Sequence, residues 1–171
     1  MEDGFEYTIF NTQFGCFAIV AEGGNLIRTY LPGMDKGRLK KQILELYPGA
    51  KYNPAMLKNL QQQVKNYFAG KKVIFDIDIT YAIENLSDFS KTILKACHKI
   101  KPAQTISYSR LAELAKHPNA ARAAGAVLSK NPVPLIIPCH RVIKSTGQTG
   151  NFTSPQGAIL KQKMLDLEVL G

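Results

Sequence analysis

Apolar and polar positions alternate with a period of two along the first thirty residues. Phe5, Tyr7 and Ile9 share one side of a strand. Phe17, Ile19 and Ala21 share one side of the next, opposite Ala18, Val20 and Glu22. Gly23-Gly24-Asn25 is a hairpin turn and Leu26 to Leu31 returns, so a β-meander is expected. Pro32-Gly33 stops it. The period then changes. Lys36 to Leu46 places Leu39, Ile43 and Leu46 on one helical face, and Pro48-Gly49 ends that helix. A second helix is expected from Pro54, a favourable first-turn residue, carrying Leu57, Leu60, Val64 and Phe68 as far as Gly70. Val73 to Ile79 alternates again and reads as another strand.

Past residue 80 the pattern turns helical. Tyr81 to Leu86 is a connection. Ser87 is an N-cap for a helix with Phe89, Ile93, Ala96, Cys97 and Ile100 at helical spacing. Thr105 to Ala115 reads as a capped helix, Lys116-His117-Pro118-Asn119 as a turn, and Ala120 to Lys130 as a second helix. Two short helices about a tight turn read as a helix-turn-helix, although the ordinary helical hairpin is commoner. Gly157 to Leu170 is a final helix with Leu160, Met164 and Leu167 on one face. The expected fold class is α+β. Residues 1–80 form an N-terminal unit of antiparallel β-sheet with helices, 81–86 a linker, and 87–171 a mainly helical C-terminal domain.

Charge narrows the partners. Lys and Arg number 22 against 13 Asp and Glu, a net +9, which points to a polyanion, although charge alone fits a plain basic surface equally well. No apolar run is long enough for a transmembrane helix, and Met1-Glu2-Asp3-Gly4 is acidic, without a signal-peptide pattern. Three cysteines, Cys16, Cys97 and Cys139, are too few for a disulfide framework and fit a reducing compartment. Cys97 and His98 are adjacent, so on a helix they point about 100° apart and make poor metal ligands together.

The chemistry concentrates in Asn131-Pro132-Val133-Pro134-Leu135-Ile136-Ile137-Pro138-Cys139-His140-Arg141-Val142. Prolines restrict this segment. A thiol, an imidazole and a guanidinium follow without a gap, and neighbouring cations favour the reactive thiolate. Against this stands the commoner fate of a free cysteine, a small buried hydrophobe. In an extended segment neighbouring side chains face opposite ways, so His140 reaches Cys139 only through a water or a sharp turn. The helix Ala120-Ala121-Arg122-Ala123-Ala124-Gly125-Ala126 is nearly bare of side-chain bulk. It lacks the long polar residues that read a major groove, and fits a minor groove better.

Pro138-Cys139-His140-Arg141-Val142, introduced by Asn131-Pro132-Val133-Pro134, resembles the active-site motif of the O6-alkylguanine-DNA alkyltransferases. Ser107-Tyr108 and Ala121-Arg122-Ala123 align without a gap from Tyr108 to Val142, and the likeness spans residues 87–168. The resemblance implies a ribonuclease H-like first domain and a helix-turn-helix in the second. It implies double-stranded DNA carrying O6-alkylguanine as partner, with O4-alkylthymine a further candidate, and one irreversible transfer of the alkyl group to Cys139. Arg122 replaces the extruded nucleotide, flanked by Ala121 and Ala123. Asn131 ties that helix to the nucleophile segment. Tyr108 protonates the base, and Glu168 orients His140. Pro138, Asn151, Phe152 and Thr153 line the base pocket; many relatives carry tyrosine and serine at the last two. No cofactor, metal or membrane is implied. The zinc of some relatives is not carried over, because the first half offers Cys16 and no histidine. A free monomer is expected, cytoplasmic, or nuclear in a eukaryote. Two other readings stand beside this one. Non-catalytic lesion binders of the same family replace the nucleophile, commonly with tryptophan, whereas Cys139 is present. A cysteine hydrolase would leave the basic charge and the bare helix without a role.

Overall fold

The computed structural model describes residues 4–171. The acidic start, Met1 to Asp3, lies outside the described residues. The meander forms as expected. β1 (Phe5–Thr12), β2 (Gly15–Glu22) and β3 (Asn25–Tyr30) are antiparallel neighbours. α1 (Lys36–Leu46) follows, with Asp35 accepting from the Arg38 amide as its N-cap. The sheet is not wholly antiparallel. A two-residue β4 (Lys51–Tyr52) lies parallel to β1, giving the order β3-β2-β1-β4. Two residues are too short to leave an alternation in the sequence.

Three expectations in this half are corrected. Leu46 is 54% exposed, and α1 is held to the sheet by the buried Leu39 and Ile43, with the half-buried Leu44 beside them. α2 begins at Lys58 rather than Pro54 and runs to Phe68. Leu57 before it sits in the left-handed region at φ 45°, so the helix cannot extend back through it. Val73 to Ile79 alternates in burial, with Phe75 and Ile79 inside and Ile74 77% exposed, yet it pairs with no strand. Its apolar side packs on the core while its backbone stays outside the sheet.

Both faces of β2 are covered. Ala18 and Val20 join Tyr7, Ile9, Leu39 and Ile43 under α1. Phe17, Ile19 and Ala21 face the other way, into a core shared with the second half of the chain. A short α3 (Thr80–Ile83) overlaps the connection from Tyr81 to Leu86, and its Ile83 is buried in that common core.

α4 (Asp88–His98) is capped by Ser87, and its Ile93, Leu94 and Cys97 are buried. The next helix is shorter than expected. Ile106–Ser107 forms β5, paired with a later strand, and α5 runs only Tyr108–Leu114 with Ser107 as its N-cap. A turn with Lys116 and Asn119 at positive φ leads to α6 (Ala121–Leu128), again shorter than Ala120 to Lys130. After the nucleophile segment come β6 (Val142–Ile143), which pairs parallel with β5, and α7 (Ala158–Leu170). No helix is long and apolar enough to cross a membrane, and no metal-like cluster of His, Cys, Asp and Glu occurs among the described residues.

Candidate active site

The nucleophile segment is clamped from both sides. The Asn131 side chain accepts from the Val133 amide (3.0 Å) and donates to the Ile137 carbonyl (2.9 Å), closing the proline-rich turn on itself. Thr29 on β3 donates to the Pro132 carbonyl through its amide (3.1 Å) and to the Pro134 carbonyl through its hydroxyl (2.7 Å). Leu135 is held at φ 77°, a strained value for a branched side chain.

The segment does not stay extended through its reactive residues. Cys139–Arg141 is one 3-10 turn. At three residues per turn, successive side chains point about 120° apart. Cys139 therefore faces a cleft, His140 turns inward with no exposed surface, and Arg141 aims at α7. The expected sharp turn is present, and it divides the three groups into three tasks.

Glu168 of α7 is the hub. Its Oε1 lies 2.6 Å from His140 Nε2, and Arg141 grips both carboxylate oxygens from Nε (3.1 and 3.0 Å) and Oε1 from Nη2 (2.8 Å). The amide of Ala103 donates to Oε2 at 3.2 Å, and the hydroxyl of Tyr67 on α2 donates to Oε1 at 2.9 Å. Burial pushes the Glu168 carboxyl up, but the His140 and Arg141 hydrogen bonds and the Arg141 charge overcome this and hold it well below the usual carboxylate range. Burial, aided by the Arg141 and Lys161 charges, pulls the His140 imidazole down despite Glu168, so it rests neutral at pH 7. Its Nε2 faces acceptors. Its Nδ1 is buried without a partner, an available base. Burial raises the Cys139 thiol, while Asn131 and the Lys161 charge oppose the rise. Both shifts favour a resting thiol and a neutral imidazole over the thiolate that adjacent cations suggest.

The cleft in front of Cys139 has a volume of about 770 Å³. Tyr108 and Phe152 supply aromatic surface to it, and Ala121 and Arg122 form its rim. Asn151 and Thr153 line it too, although the Thr153 hydroxyl is committed to the Ser129 carbonyl (2.9 Å). Ala123 is exposed on the same helix but does not line the cleft. Pro138 is buried and does not line the cleft, while Asn131 links the end of α6, through its backbone amide to the Leu128 carbonyl, to the nucleophile segment, through its side chain to the Ile137 carbonyl.

Sequence reasoning missed two residues here. Lys161 is 1% exposed, donates to the Val142 carbonyl at 2.7 Å, and lies 3.4 Å from the Tyr108 hydroxyl. Its ammonium also sits over the Tyr108 and Phe152 rings, and burial lowers its pKa to about 8. Lys161, Met164 and Glu168 fall at i, i+3 and i+7, a helical stripe that signals their common face. Tyr67 follows Leu60 and Val64 on the α2 stripe in the same way. A lysine or a tyrosine at such a position reads as a border residue until a partner from elsewhere in the chain is seen.

Comparison with known proteins agrees with this geometry. Residues 88–170 match the family model described as 6-O-methylguanine DNA methyltransferase, DNA binding domain. A methylated-DNA–protein-cysteine methyltransferase of Methanosarcina acetivorans is 30% identical over 162 residues, covering 95% of this chain and 97% of the relative. One of Metallosphaera sedula is 38% identical over 109 residues, covering 64% of this chain and 65% of the relative. Among solved structures, Mycobacterium tuberculosis OGT in complex with DNA superposes with a TM-score of 0.78 at 26% identity, over 95% of this chain and 92% of that one.

Proposed function

Since the chain belongs to the methylated-DNA–protein-cysteine methyltransferase family, DNA repair proteins that move an alkyl group from DNA onto their own cysteine, we propose that Cys139 is the acceptor and O6-alkylguanine in duplex DNA the substrate. The observation that carries this reading is a single thiol at the end of a basic-rimmed cleft, backed by a neutral imidazole whose Nδ1 has no partner.

The reactive carbon lies inside the base stack, so the nucleotide must be turned out. α5 and α6 act as the helix-turn-helix. The smooth face of α6 enters the minor groove, and Arg122 holds the place the base leaves. Ala121 and Ala123 allow that approach because they carry no bulk. Lysines and arginines neutralise phosphates, which makes binding fall with salt. The base enters the cleft against Phe152, with Asn151 and Thr153 on the loop beside it. The antiparallel meander with β4 parallel to β1 supports a ribonuclease H-like first unit, joined through residues 81–86 to the unit that carries the nucleophile.

The transfer is a displacement at saturated carbon. The S–C bond forms at Cys139 as the C–O6 bond breaks. The thiol proton passes through a bridging water to His140 Nδ1, which makes no direct hydrogen bond to the thiol, and Glu168 stabilises the imidazolium. Tyr108 gives its proton to the departing guanine. Lys161 lies within reach to return one to the Tyr108 oxygen, ending neutral as its lowered pKa allows. The thioether has no nucleophile to cleave it, so the protein acts once, as a monomer, in the cytoplasm or a nucleus. The test is stoichiometric. Mixed with excess O6-methylguanine duplex and no added cofactor, the chain takes up one methyl per molecule and stops. Continued turnover would contradict the reading.

A further inference from the structure

The first half of the chain holds no group of the proton relay in the reading above, yet one of its side chains reaches into it. Tyr67 of α2 is 3% exposed. Its hydroxyl lies 2.9 Å from Glu168 Oε1, 3.3 Å from His140 Nε2 and 3.5 Å from the Met164 carbonyl. A phenol has one proton and two lone pairs. The proton goes to the carboxylate, the shortest and only charged acceptor of the three. The oxygen then turns lone pairs toward Nε2. That nitrogen sits between two acceptors, a carboxylate and a phenol oxygen, and is suited to carry hydrogen.

We infer that Tyr67 is a positioning residue of the transfer site, locking His140 as the Nε2–H tautomer so that Nδ1 stays bare for the Cys139 proton. The claim rests on the alkyl-transfer reading and deepens it. It gives the first half of the chain a direct part in the chemistry beyond support. The phenol keeps its proton throughout. Burial raises its pKa far above the ordinary range, and the Glu168 charge adds to the rise against the opposing pull of Arg141. Arg141 and the Ala103 amide complete the arrangement. By occupying the carboxylate they keep Glu168 ionised and stop it from taking the imidazole proton outright. The ring of Tyr67 also packs edge-on to His140, with centroids 6.3 Å apart, which limits imidazole rotation.

Tyr67→Phe keeps the ring and removes the hydroxyl. The variant should lose about tenfold in alkyl transfer, the effect of one hydrogen bond to a charged group. The loss should be equal on an O6-methylguanine duplex and on free O6-benzylguanine, with duplex affinity unchanged. With ¹⁵N-histidine labelling, wild-type His140 should show a bare Nδ1 and a protonated Nε2, and the variant should shift the two signals toward each other. A variant with unchanged rates, or one slowed while its histidine signals stay put, overturns the inference and leaves alkyl transfer standing. So does a protonated Nδ1 in the wild type, a measurement that needs no variant. A wild type that takes up no alkyl group overturns both.

Discussion

Glu168→Gln should cost about 3–5 kcal/mol of stability, the usual penalty for leaving one member of a buried ion pair without its partner. It should also slow alkyl transfer about a hundredfold or more, the usual loss when a general base is disabled. The two effects have one origin. The Arg141 guanidinium is 5% exposed and makes three of its four hydrogen bonds to this carboxylate. The neutral amide leaves that charge unpaired and no longer stabilises the imidazolium formed when Cys139 gives up its proton. The pH dependence follows from the direction of the shift. Glu168 is held well below the ordinary carboxyl value of about 4.3. Its contribution is therefore complete above that pH and disappears as the pH falls through the depressed value. His140 adds to the slope, because burial keeps it neutral and folding opposes its protonation below about pH 6.5. Urea unfolding at about pH 7, 4.5 and 2.5 separates them, the upper interval reporting His140 and the lower one Glu168. The variant should start lower and lack the carboxylate part of the slope below about pH 4.3. Equal stability of the two proteins at pH 7 would remove Glu168 from its place at the hub.

Arg122→Ala should act differently on two substrates, one that needs extrusion and one that does not. On duplex DNA the transfer rate should fall about a hundredfold, because a few kcal/mol of unstacking must be offset by a group that fills the vacated place. On free O6-benzylguanine, which needs no extrusion, the rate should change less than about threefold. The structure makes this test sharp. Arg122 is exposed at the rim of the cleft, and its substitution leaves the carboxylate hub untouched. Single-turnover kinetics on both substrates measure the split. Equal losses would remove Arg122 from extrusion.

How far the sequence spoke can be judged from particular residues. The meander, α1 and the Ser87 cap were legible because each rests on neighbours: a period of two, a period of 3.6, and a hydroxyl three residues before an amide. The segment 73–79 misled because its alternation is real while its pairing is absent; a side-chain period cannot report where the backbone hydrogen bonds go. β5 and β6 were illegible for the converse reason. Ile106 and Val142 pair across 36 residues, and that contact alone converts the start of an expected helix into a strand. The same limit governs the site. Cys139, His140 and Arg141 stand together in the sequence and announced chemistry. Glu168, Tyr108 and Arg122 were named only through resemblance. Tyr67 and Lys161 act through partners 101 and 53 positions away, and no local pattern carries such a partner. Pro138 belongs to the motif yet does not line the cleft, since motif membership does not say which way a side chain points.

The account stands on Cys139, and peptide mass spectrometry after reaction with an O6-methylguanine duplex addresses it most directly. One added methyl on the peptide containing Cys139, absent from Cys139→Ala, is the predicted result. Tight binding of that duplex with no gain in mass, or a methyl carried on Cys16 or Cys97 instead, would contradict it.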